Sequence, residues 1–177
     1  GKILRWAYVV AKNQTLSYKR IVARIYIETS IPSYVTASPS NSVVGLARQL
    51  HAIEWWEYHR PNHECFISDL VLLEASLGDS QRAADRLELL KDIELVDICD
   101  ESRRLAAEII KIGALPEKAK EDSLHIATAT VHDMDFMVTW NCRHIANSHI
   151  IKVIRKFFNS TSYSLPEIAT PEELIGE

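Results

Sequence analysis

The sequence predicts one α/β domain built on a central parallel sheet of about four to five short strands, with helices on both faces. Short apolar runs at residues 24–28, 65–67 and 136–139 alternate with longer segments whose apolar residues recur every three or four positions. This alternation is typical of a parallel sheet covered by its crossover helices. The chain has 177 residues, of which 47% are hydrophobic and 25% are charged, as expected for one globular domain.

Local signals along the chain predict the individual elements. The first strand, 24–28, is β-branched and aromatic, and polar residues followed by Pro32 end it. Further strands are predicted at 65–67, 93–98, 136–139 and 167–169. Helices are predicted over 40–60, 69–77, 79 or 80 to 90, 100–112, 117–132 and 144–159, before a terminal turn capped by Thr170 and Glu173. Ser68 is the predicted N-cap of the helix at 69–77, and Gly78 and Gly113 are predicted to end helices.

Charge and cysteine content exclude several classes of protein. Lys and Arg total 20 against 24 Asp and Glu, a formal net charge of −4. Nucleic acid would therefore be held at a local site or through metal ions rather than by a uniformly basic surface. The three Cys lie far apart with no CxxC pair, which argues against a disulfide framework and a structural zinc site.

No apolar run reaches the ~18 residues of a membrane span and no secretory signal is recognised, so we expect a cytoplasmic protein.

Residues 1–20 differ from the rest of the chain. They are basic and show no clear apolar periodicity. We expect them to form a poorly ordered extension outside the main fold, and we expect the domain to occupy residues 21–177.

Acidic and polar residues mark one edge of the predicted sheet. Glu28 closes the first strand and is followed by Thr29 and Ser30. Thr139 closes the fourth strand, and Asn141 comes two residues later. Ligands bind beyond the carboxyl ends of the strands in an open parallel sheet. We therefore expect these side chains to meet at a binding site.

Two helical acids, Glu74 and Asp122, are candidates to join this edge. Each lies among apolar or small residues, where a carboxylate needs a partner or a metal, and converging carboxylates suit Mg²⁺ or Mn²⁺. Simpler interpretations stay open, because Glu74 also suits a solvated helix position and Asp122 a first-turn acid. His125, one turn after Asp122, suits a core histidine or a residue that supports a ligand. Arg143 suits a phosphate contact or a surface loop.

Four stretches carry a family resemblance. They are Ile25-Tyr26-Ile27-Glu28-Thr29-Ser30, Ile67-Ser68-Asp69-Leu70-Val71-Leu72-Leu73-Glu74, Glu121-Asp122-Ser123-Leu124-His125-Ile126-Ala127 and Val138-Thr139-Trp140-Asn141. In this order and this strand–helix context they resemble the PIN-domain family, the metal-dependent ribonuclease fold of VapC-type toxins. The resemblance runs from Arg24 to the C-terminus.

The resemblance implies a metal-dependent endoribonuclease, the toxin half of a type II toxin–antitoxin pair. By resemblance, four positions ring one or two Mg²⁺ or Mn²⁺ ions that activate water for attack on an RNA phosphodiester: Glu28, Glu74, Asp122 and Asn141. Three hydroxyls are expected to orient ligands or waters: Thr29, Ser30 and Thr139. The implied partners are the RNA substrate, an antitoxin whose segment fills the acidic groove, and a second copy of the chain in a homodimer.

Two positions depart from the family pattern. The family usually has Asp where Glu28 stands, and the extra methylene of Glu28 adds roughly 1.5 Å of reach. Asn141 stands at an acidic position, so the four candidate ligands carry three negative charges and are expected to bind metal more weakly. These departures favour, as an alternative, a catalytically weak or inactive PIN-like module that binds RNA or protein. A generic α/β scaffold with exposed acids is the third interpretation.

The apolar helix at 43–56 bears on association. Its apolar residues exceed what one small core needs, which suggests an interface with a partner. The alternative is that the helix simply covers the sheet.

Overall fold

The computed structural model describes residues 22–175, and it contains a five-stranded sheet in which every neighbouring pair of strands is parallel. The strands are β1 (Arg24–Ile27), β2 (Glu64–Ser68), β3 (Glu94–Val96), β4 (Phe136–Val138) and β5 (Glu167–Ala169). Their order across the sheet is β3-β2-β1-β4-β5. Because all strands run the same way, their carboxyl ends line one edge. The predicted parallel α/β architecture is confirmed.

Helices connect the strands. They are α1 (Ser30–Thr36), α2 (Val43–Glu54), α3 (Asp69–Ala75), α4 (Ser80–Leu90), α5 (Asp100–Lys111), α6 (Lys120–Val131), α7 (Ser148–Phe158) and α8 (Pro171–Ile175). A π-helical turn, Trp55–His59, and a 3₁₀ turn, Arg60–Asn62, extend α2, and a second 3₁₀ turn, Glu117–Ala119, precedes α6. Gly113 follows α5 with a φ of 73°, the left-handed conformation that suits a glycine at a helix end.

The centre of the sheet is covered on both faces. Ile25, Tyr26 and Ile27 of β1 are all at most 1% exposed. Successive side chains on a strand point to opposite faces, so helices must cover both. Trp55 and Trp56 are buried in the same core, as expected for apolar residues at helical spacing. In the part of the chain that the structure describes, no helix is long and apolar enough to cross a membrane.

Several local predictions were wrong. Helix α1 was not predicted, because Pro32 was interpreted as a stop. A proline is tolerated in the first helical turn, where its missing N–H has no intrahelical acceptor. The helix predicted at 144–159 begins only at Ser148, because Asn147 caps it by accepting from the backbone N–H groups of His149 and Ile150.

Two predicted helix caps lie at the predicted positions but differ in their hydrogen bonds. Ser68 stands at the N-cap of α3 as predicted, but its hydroxyl makes no capping bond and instead contacts Tyr26. The capped turn at Thr170 is present, since Glu173 Oε2 accepts from the Thr170 backbone N–H at 2.7 Å. The predicted N-terminal extension, 1–20, lies outside the described residues.

Candidate metal centre

The carboxyl edge of β1 and β4 organises the candidate site. Glu28 directly follows β1, and its backbone N–H donates to the Val138 carbonyl of β4 at 3.1 Å. Thr139 directly follows β4 and is fully buried. The adjacent carboxyl ends therefore place Glu28 and Thr139 side by side, as the strand pattern predicts.

Three side chains from separate elements converge here. Glu28 follows β1, Glu74 lies on α3 and His125 on α6, and one ligand atom of each lies within 4.8 Å of the others. We call these three residues the glutamate cluster. Glu28 is 6% exposed and His125 is 1% exposed, whereas the side chain of Glu74 is 27% exposed. The cluster thus opens to solvent on the Glu74 side.

Two hydroxyls fix the carboxylate of Glu28. Its Oε2 accepts from Ser30 Oγ at 2.5 Å and from Thr139 Oγ1 at 2.6 Å. The same hydroxyl oxygens accept from the backbone, Ser30 from Trp140 N at 2.7 Å and Thr139 from Asn141 N at 2.9 Å. Each hydroxyl therefore donates its proton to the Glu28 carboxylate and accepts a backbone N–H at the same time. These hydrogen bonds connect Glu28 to the loop between β4 and α7, residues 139–147, which we call the β4 loop.

A buried relay fixes the carboxylate of Glu74. Its Oε2 accepts from Thr29 Oγ1 and from His125 Nε2, the latter at 3.0 Å. The Nδ1 atom of His125 lies 2.8 Å from the Tyr26 hydroxyl, which also contacts Ser68 Oγ at 2.7 Å. Burial raises the pKa of Tyr26 far above its ordinary value, so this hydroxyl remains a donor.

The pKa of Glu74 reflects opposing influences. Burial raises the pKa, but the hydrogen bond and charge of His125, together with the hydrogen bond from Thr29, outweigh it. The net result is a pKa below the ordinary value for glutamate, which keeps Glu74 ionised. An ionised carboxylate is the form that a metal requires.

The donor set fits a hard divalent cation. Glu28 and Glu74 each use Oε2 for their hydrogen bonds, while Oε1 of each accepts none from residues 22–175. Two neighbouring carboxylates repel each other, and a cation between free oxygens would offset that repulsion. His125 belongs to the same group geometrically, but its Nε2 is occupied by Glu74. It is therefore placed to orient Glu74.

A second group of polar side chains lies beside this one, formed by Asp122 of α6 with Asn141 and His144 of the β4 loop. We call it the aspartate cluster. Asp122 Oδ1 accepts from Asn141 Nδ2 at 2.7 Å, and Oδ2 accepts from His144 Nδ1 at 2.7 Å. The side-chain oxygen of Asn141, Oδ1, accepts from the backbone N–H of His144 at 3.1 Å. Every side-chain oxygen of Asp122 and Asn141 is thus engaged within the cluster.

The structure therefore divides the predicted ligands into two sets. Glu28 and Glu74 share one cluster, and Asp122 and Asn141 share the other. Thr139 joins the two sets, because its hydroxyl touches Glu28 and the backbone of Asn141. The predicted supporting hydroxyls all contact a glutamate carboxylate: Thr29, Ser30 and Thr139.

Arg143 lies apart from these contacts. It is exposed in the loop, and among residues 22–175 its side chain joins none of the hydrogen bonds of either cluster. His144 is the residue that contacts Asp122 instead. The sequence offered both interpretations of this loop, a phosphate contact and a surface position, and no signal singled out the pairing of His144 with Asp122.

Trp140 anchors the loop that holds the aspartate cluster, a role the sequence did not indicate. The residue is 6% exposed, and its indole is inclined by 22° to the His51 ring, with centroids 6.5 Å apart. The Arg48 guanidinium lies 5.4 Å from the indole centroid. Packing against α2 therefore fixes the residue between Thr139 and Asn141.

Comparison with known proteins identifies the family. Residues 25–144 match the model of the PIN domain. The chain belongs to the PIN-domain family. This match covers more than half of the chain and includes all four candidate ligands. The comparison with curated proteins found no match.

Two solved structures share the fold of this PIN domain. One is a chain of VapBC2 from Rickettsia felis bound to a DNA fragment from its promoter, with a TM-score of 0.52 and 15% identity over 83% of this chain and 98% of that one. The other is a chain of DNA-bound VapBC from Salmonella typhimurium, with a TM-score of 0.53 and 13% identity over 85% of this chain and 99% of that one. The likeness confirms the PIN-like fold.

Proposed function

We propose that this PIN domain is a metal-dependent endoribonuclease and the toxin component of a type II toxin–antitoxin pair. One observation carries the proposal. Glu28 and Glu74 meet at the carboxyl edge with one oxygen each held by side-chain donors and the other free of hydrogen bonds from the described residues. Membership of the PIN-domain family and structural likeness to chains of VapBC complexes support it.

Glu28 and Glu74 would hold Mg²⁺ or Mn²⁺, with Asp122 and Asn141 as the further proposed ligands. Ligation by Asp122 or Asn141 would exchange one of the hydrogen bonds within the aspartate cluster for a metal bond. When bound, the metal lowers the pKa of a water molecule and offsets the negative charge that develops on the phosphodiester.

The neighbouring side chains would preorganise the carboxylates. Ser30 and Thr139 hold Glu28, and Thr29 and His125 hold Glu74. Because these donors fix the carboxylates before RNA arrives, little reorganisation is needed during the reaction. Such preorganisation is a main source of catalytic rate in charged sites.

A cleavage assay tests the activity. The purified protein and its Asp122→Asn variant are incubated with mixed cellular RNA, including transfer RNA, in Mn²⁺, Mg²⁺ or excess chelator. We expect metal-dependent cutting by the wild type and none by Asp122→Asn, with the same far-UV circular dichroism for both. Full cleavage by the variant would contradict the proposed role of Asp122.

A binding module without efficient catalysis is the second candidate. The specific observation in its favour is that Asp122 and Asn141 satisfy each other and His144, leaving both without a free side-chain oxygen. This candidate predicts Mn²⁺ binding by calorimetry and retained RNA binding, with no cleavage in any metal. The same assay therefore separates the two functions.

A second copy and an antitoxin are the proposed protein partners. At the start of α2, Val43 is 86% exposed and Val44 is 64% exposed, and Leu50 farther along is 56% exposed. Exposed apolar residues on one helix support an association surface. Light scattering of the wild type and of Val43→Glu tests the homodimer. We expect the variant to be monomeric, and equal masses for both proteins would contradict this interface.

A further inference from the structure

Helix α7 has a charge pattern opposite to that of the whole chain. No Asp or Glu occurs from residue 136 to residue 166, although the chain carries a net charge of −4. Within α7 the charged residues are Lys152, Arg155 and Lys156. A local basic surface of this kind is what an acidic protein needs to hold a polyanion.

The basic residues occupy the solvent face of α7. Ile154 and Phe158 are buried in the core, whereas Lys152, Arg155 and Lys156 are exposed. The three cations share one open surface of this helix with Ser148, Ile151 and Asn159. Lys152 and Lys156 are four residues apart and therefore lie on the same side of the helix, about 5–6 Å apart at Cβ.

Two of these cations are available to an external anion. Arg155 pairs with Glu167 at 2.9 Å. In the described part of the chain, Lys152 and Lys156 form no ion pair. By contrast, Lys91 and Lys111 pair with glutamates three residues earlier, at 2.5 and 3.2 Å.

The loop that holds the aspartate cluster leads directly into α7. The loop from Asn141 to α7 is tight, because the backbone N–H groups of Ile145 and Ala146 both donate to the Asn141 carbonyl, at 3.0 and 2.8 Å. Since β5 runs parallel to β4, α7 must lead back from the carboxyl edge toward the opposite edge. Along the helix axis, Lys152 lies about 6 Å and Lys156 about 12 Å from Ser148. The cations form a track that leads away from the site.

We propose that the solvent face of α7 binds the phosphate backbone of single-stranded RNA whose scissile phosphodiester lies at the glutamate cluster. The RNA substrate class rests on the proposed function. Repeated phosphates suit lysines repeated at one-turn spacing. The three cations of this face would contact phosphates, and no Phe, Tyr or Trp side chain is exposed from Ser148 to Asn159. The face therefore positions RNA without reading its sequence.

The double variant Lys152→Ala/Lys156→Ala tests this face. Its matched control is Lys91→Ala/Lys111→Ala, which removes the same charge from two other helix ends. Binding of a labelled single-stranded RNA of about 20 nucleotides is measured in chelator, so that no cleavage is involved. We expect roughly tenfold weaker binding at 0.15 M salt, and a slope of log K against log salt that is smaller by about 1.4. Lys152→Arg/Lys156→Arg should retain binding.

Cleavage kinetics in Mn²⁺ supply a second readout. For the Ala double variant we expect KM for the long RNA to rise with kcat unchanged, and an RNA dinucleotide, too short to span α7, to be hydrolysed as by the wild type. If the wild type binds RNA through these lysines but cuts nothing, the proposed nuclease fails and the α7 proposal stands. If the wild type cuts RNA and the Ala variant matches its control, the α7 proposal is overturned.

Two other results would also overturn the α7 proposal. One is the absence of RNA binding by the wild type in chelator. The other is normal RNA affinity of the Ala variant together with weakened binding of poly-glutamate, which would assign this face to an acidic protein.

Discussion

The two clusters at the carboxyl edge differ in how many oxygens of each carboxylate accept hydrogen bonds. In the glutamate cluster, Glu28 and Glu74 each have one oxygen held by donors and one oxygen that accepts no hydrogen bond from residues 22–175. In the aspartate cluster, both oxygens of Asp122 accept short hydrogen bonds, from Asn141 and His144. One cluster leaves an oxygen of each carboxylate without a hydrogen bond from the described residues, and the other uses both oxygens of its carboxylate in internal hydrogen bonds.

The origin of the donors explains this difference. Hydroxyl groups from the start of α1 and the end of β4, together with a buried imidazole on α6, hold Glu28 and Glu74. The amide of Asn141 approaches Asp122 from the loop and can donate a hydrogen bond, which an acidic residue at that position could not. The substitution of an acid by Asn therefore changes a repulsive pair of acids into a hydrogen-bonded one. Variants that alter charge in one cluster at a time test this comparison.

The largest effect is expected from Glu28→Gln. The amide oxygen can still accept from Ser30 and Thr139, but the negative charge is lost. We expect Mn²⁺ binding to weaken and RNA cleavage to fall by ~10²–10³-fold. In chelator the free energy of unfolding should rise by about 1 kcal/mol, since repulsion with Glu74 disappears, which corresponds to a Tm increase of roughly 2–4 °C.

Calorimetric titration measures Mn²⁺ affinity, and thermal unfolding with and without chelator measures Tm. Glu57→Gln, at an exposed position, is the matched control and should change neither quantity. A lower Tm of Glu28→Gln in chelator would show that Glu28 is mainly a structural acceptor, and the comparison between the clusters would lose its basis.

A smaller effect is expected from Tyr26→Phe, which breaks the relay behind Glu74. The change leaves His125 Nδ1 and Ser68 Oγ without their buried partner. We expect a loss of about 2 kcal/mol in unfolding free energy and roughly tenfold slower cleavage, because His125 no longer orients Glu74 firmly. Tyr58→Phe is the control, since Tyr58 is 70% exposed. Unchanged cleavage in Tyr26→Phe would mean that His125 does not need this support.

Asn141→Asp makes the aspartate cluster resemble the glutamate cluster. The variant loses the donor to Asp122 and adds a negative charge beside it. We expect unfolding free energy in chelator to fall by about 1 kcal/mol and Mn²⁺ affinity to rise by roughly tenfold, because ligand charge sets cation affinity. Asn147→Asp, which keeps an acceptor at the cap of α7, is the control. Equal Mn²⁺ affinity in wild type and Asn141→Asp would show that position 141 does not face the metal.

Much of the fold could be predicted from local patterns. Short β-branched runs separated by helical periodicity indicated all five strands, and Gly113 marked a helix end that the structure retains. Helix α1 could not be found in this way, because its seven residues contain a proline and make only two turns, too few for Ile31, Tyr34 and Val35 to establish a helical period. Short helices of this kind form because the fold holds them, so tertiary contacts override local propensity.

The site could be predicted only in part. Polar residues after strand ends indicated Glu28 and Asn141, and acids among apolar helical residues indicated Glu74 and Asp122. The family resemblance then grouped these four as metal ligands. The partition of these residues into two clusters depends on side-chain geometry, such as the amide of Asn141 turning toward Asp122. His144 was missed as a partner of Asp122, because a loop histidine has no spacing rule that links it to an acid on a distant helix.

The smallest effect on cleavage is expected from thiol alkylation. The rate at which a reagent reaches the Cys65 thiol measures how often the sheet next to the glutamate cluster opens to solvent. Cys65 lies on β2 in register with Ile25 of β1, and burial raises the pKa of its thiol to about 12. The hydrogen bond with Ser102 lowers the pKa of Cys99 below its ordinary value, so Cys99 serves as the internal control. At pH 8 we expect Cys65 to react with iodoacetamide roughly 100-fold more slowly than an unperturbed thiol.

Peptide mass spectrometry over pH 7–9.5 follows both thiols in one sample. The alkylation rate of Cys65 should still rise about tenfold per pH unit at the top of this range, because its thiolate remains a minor form below a pKa of about 12. The rate of Cys99 should level off first. Modification of Cys99 is expected to leave RNA cleavage unchanged, because its thiol contacts Ser102 of α5 and joins none of the hydrogen bonds of either cluster. Equal rates for Cys65 and Cys99 at pH 8 would mean that the sheet next to the glutamate cluster opens readily. In that case Glu28 and Glu74 would be held no more rigidly than Asp122, which a loop holds.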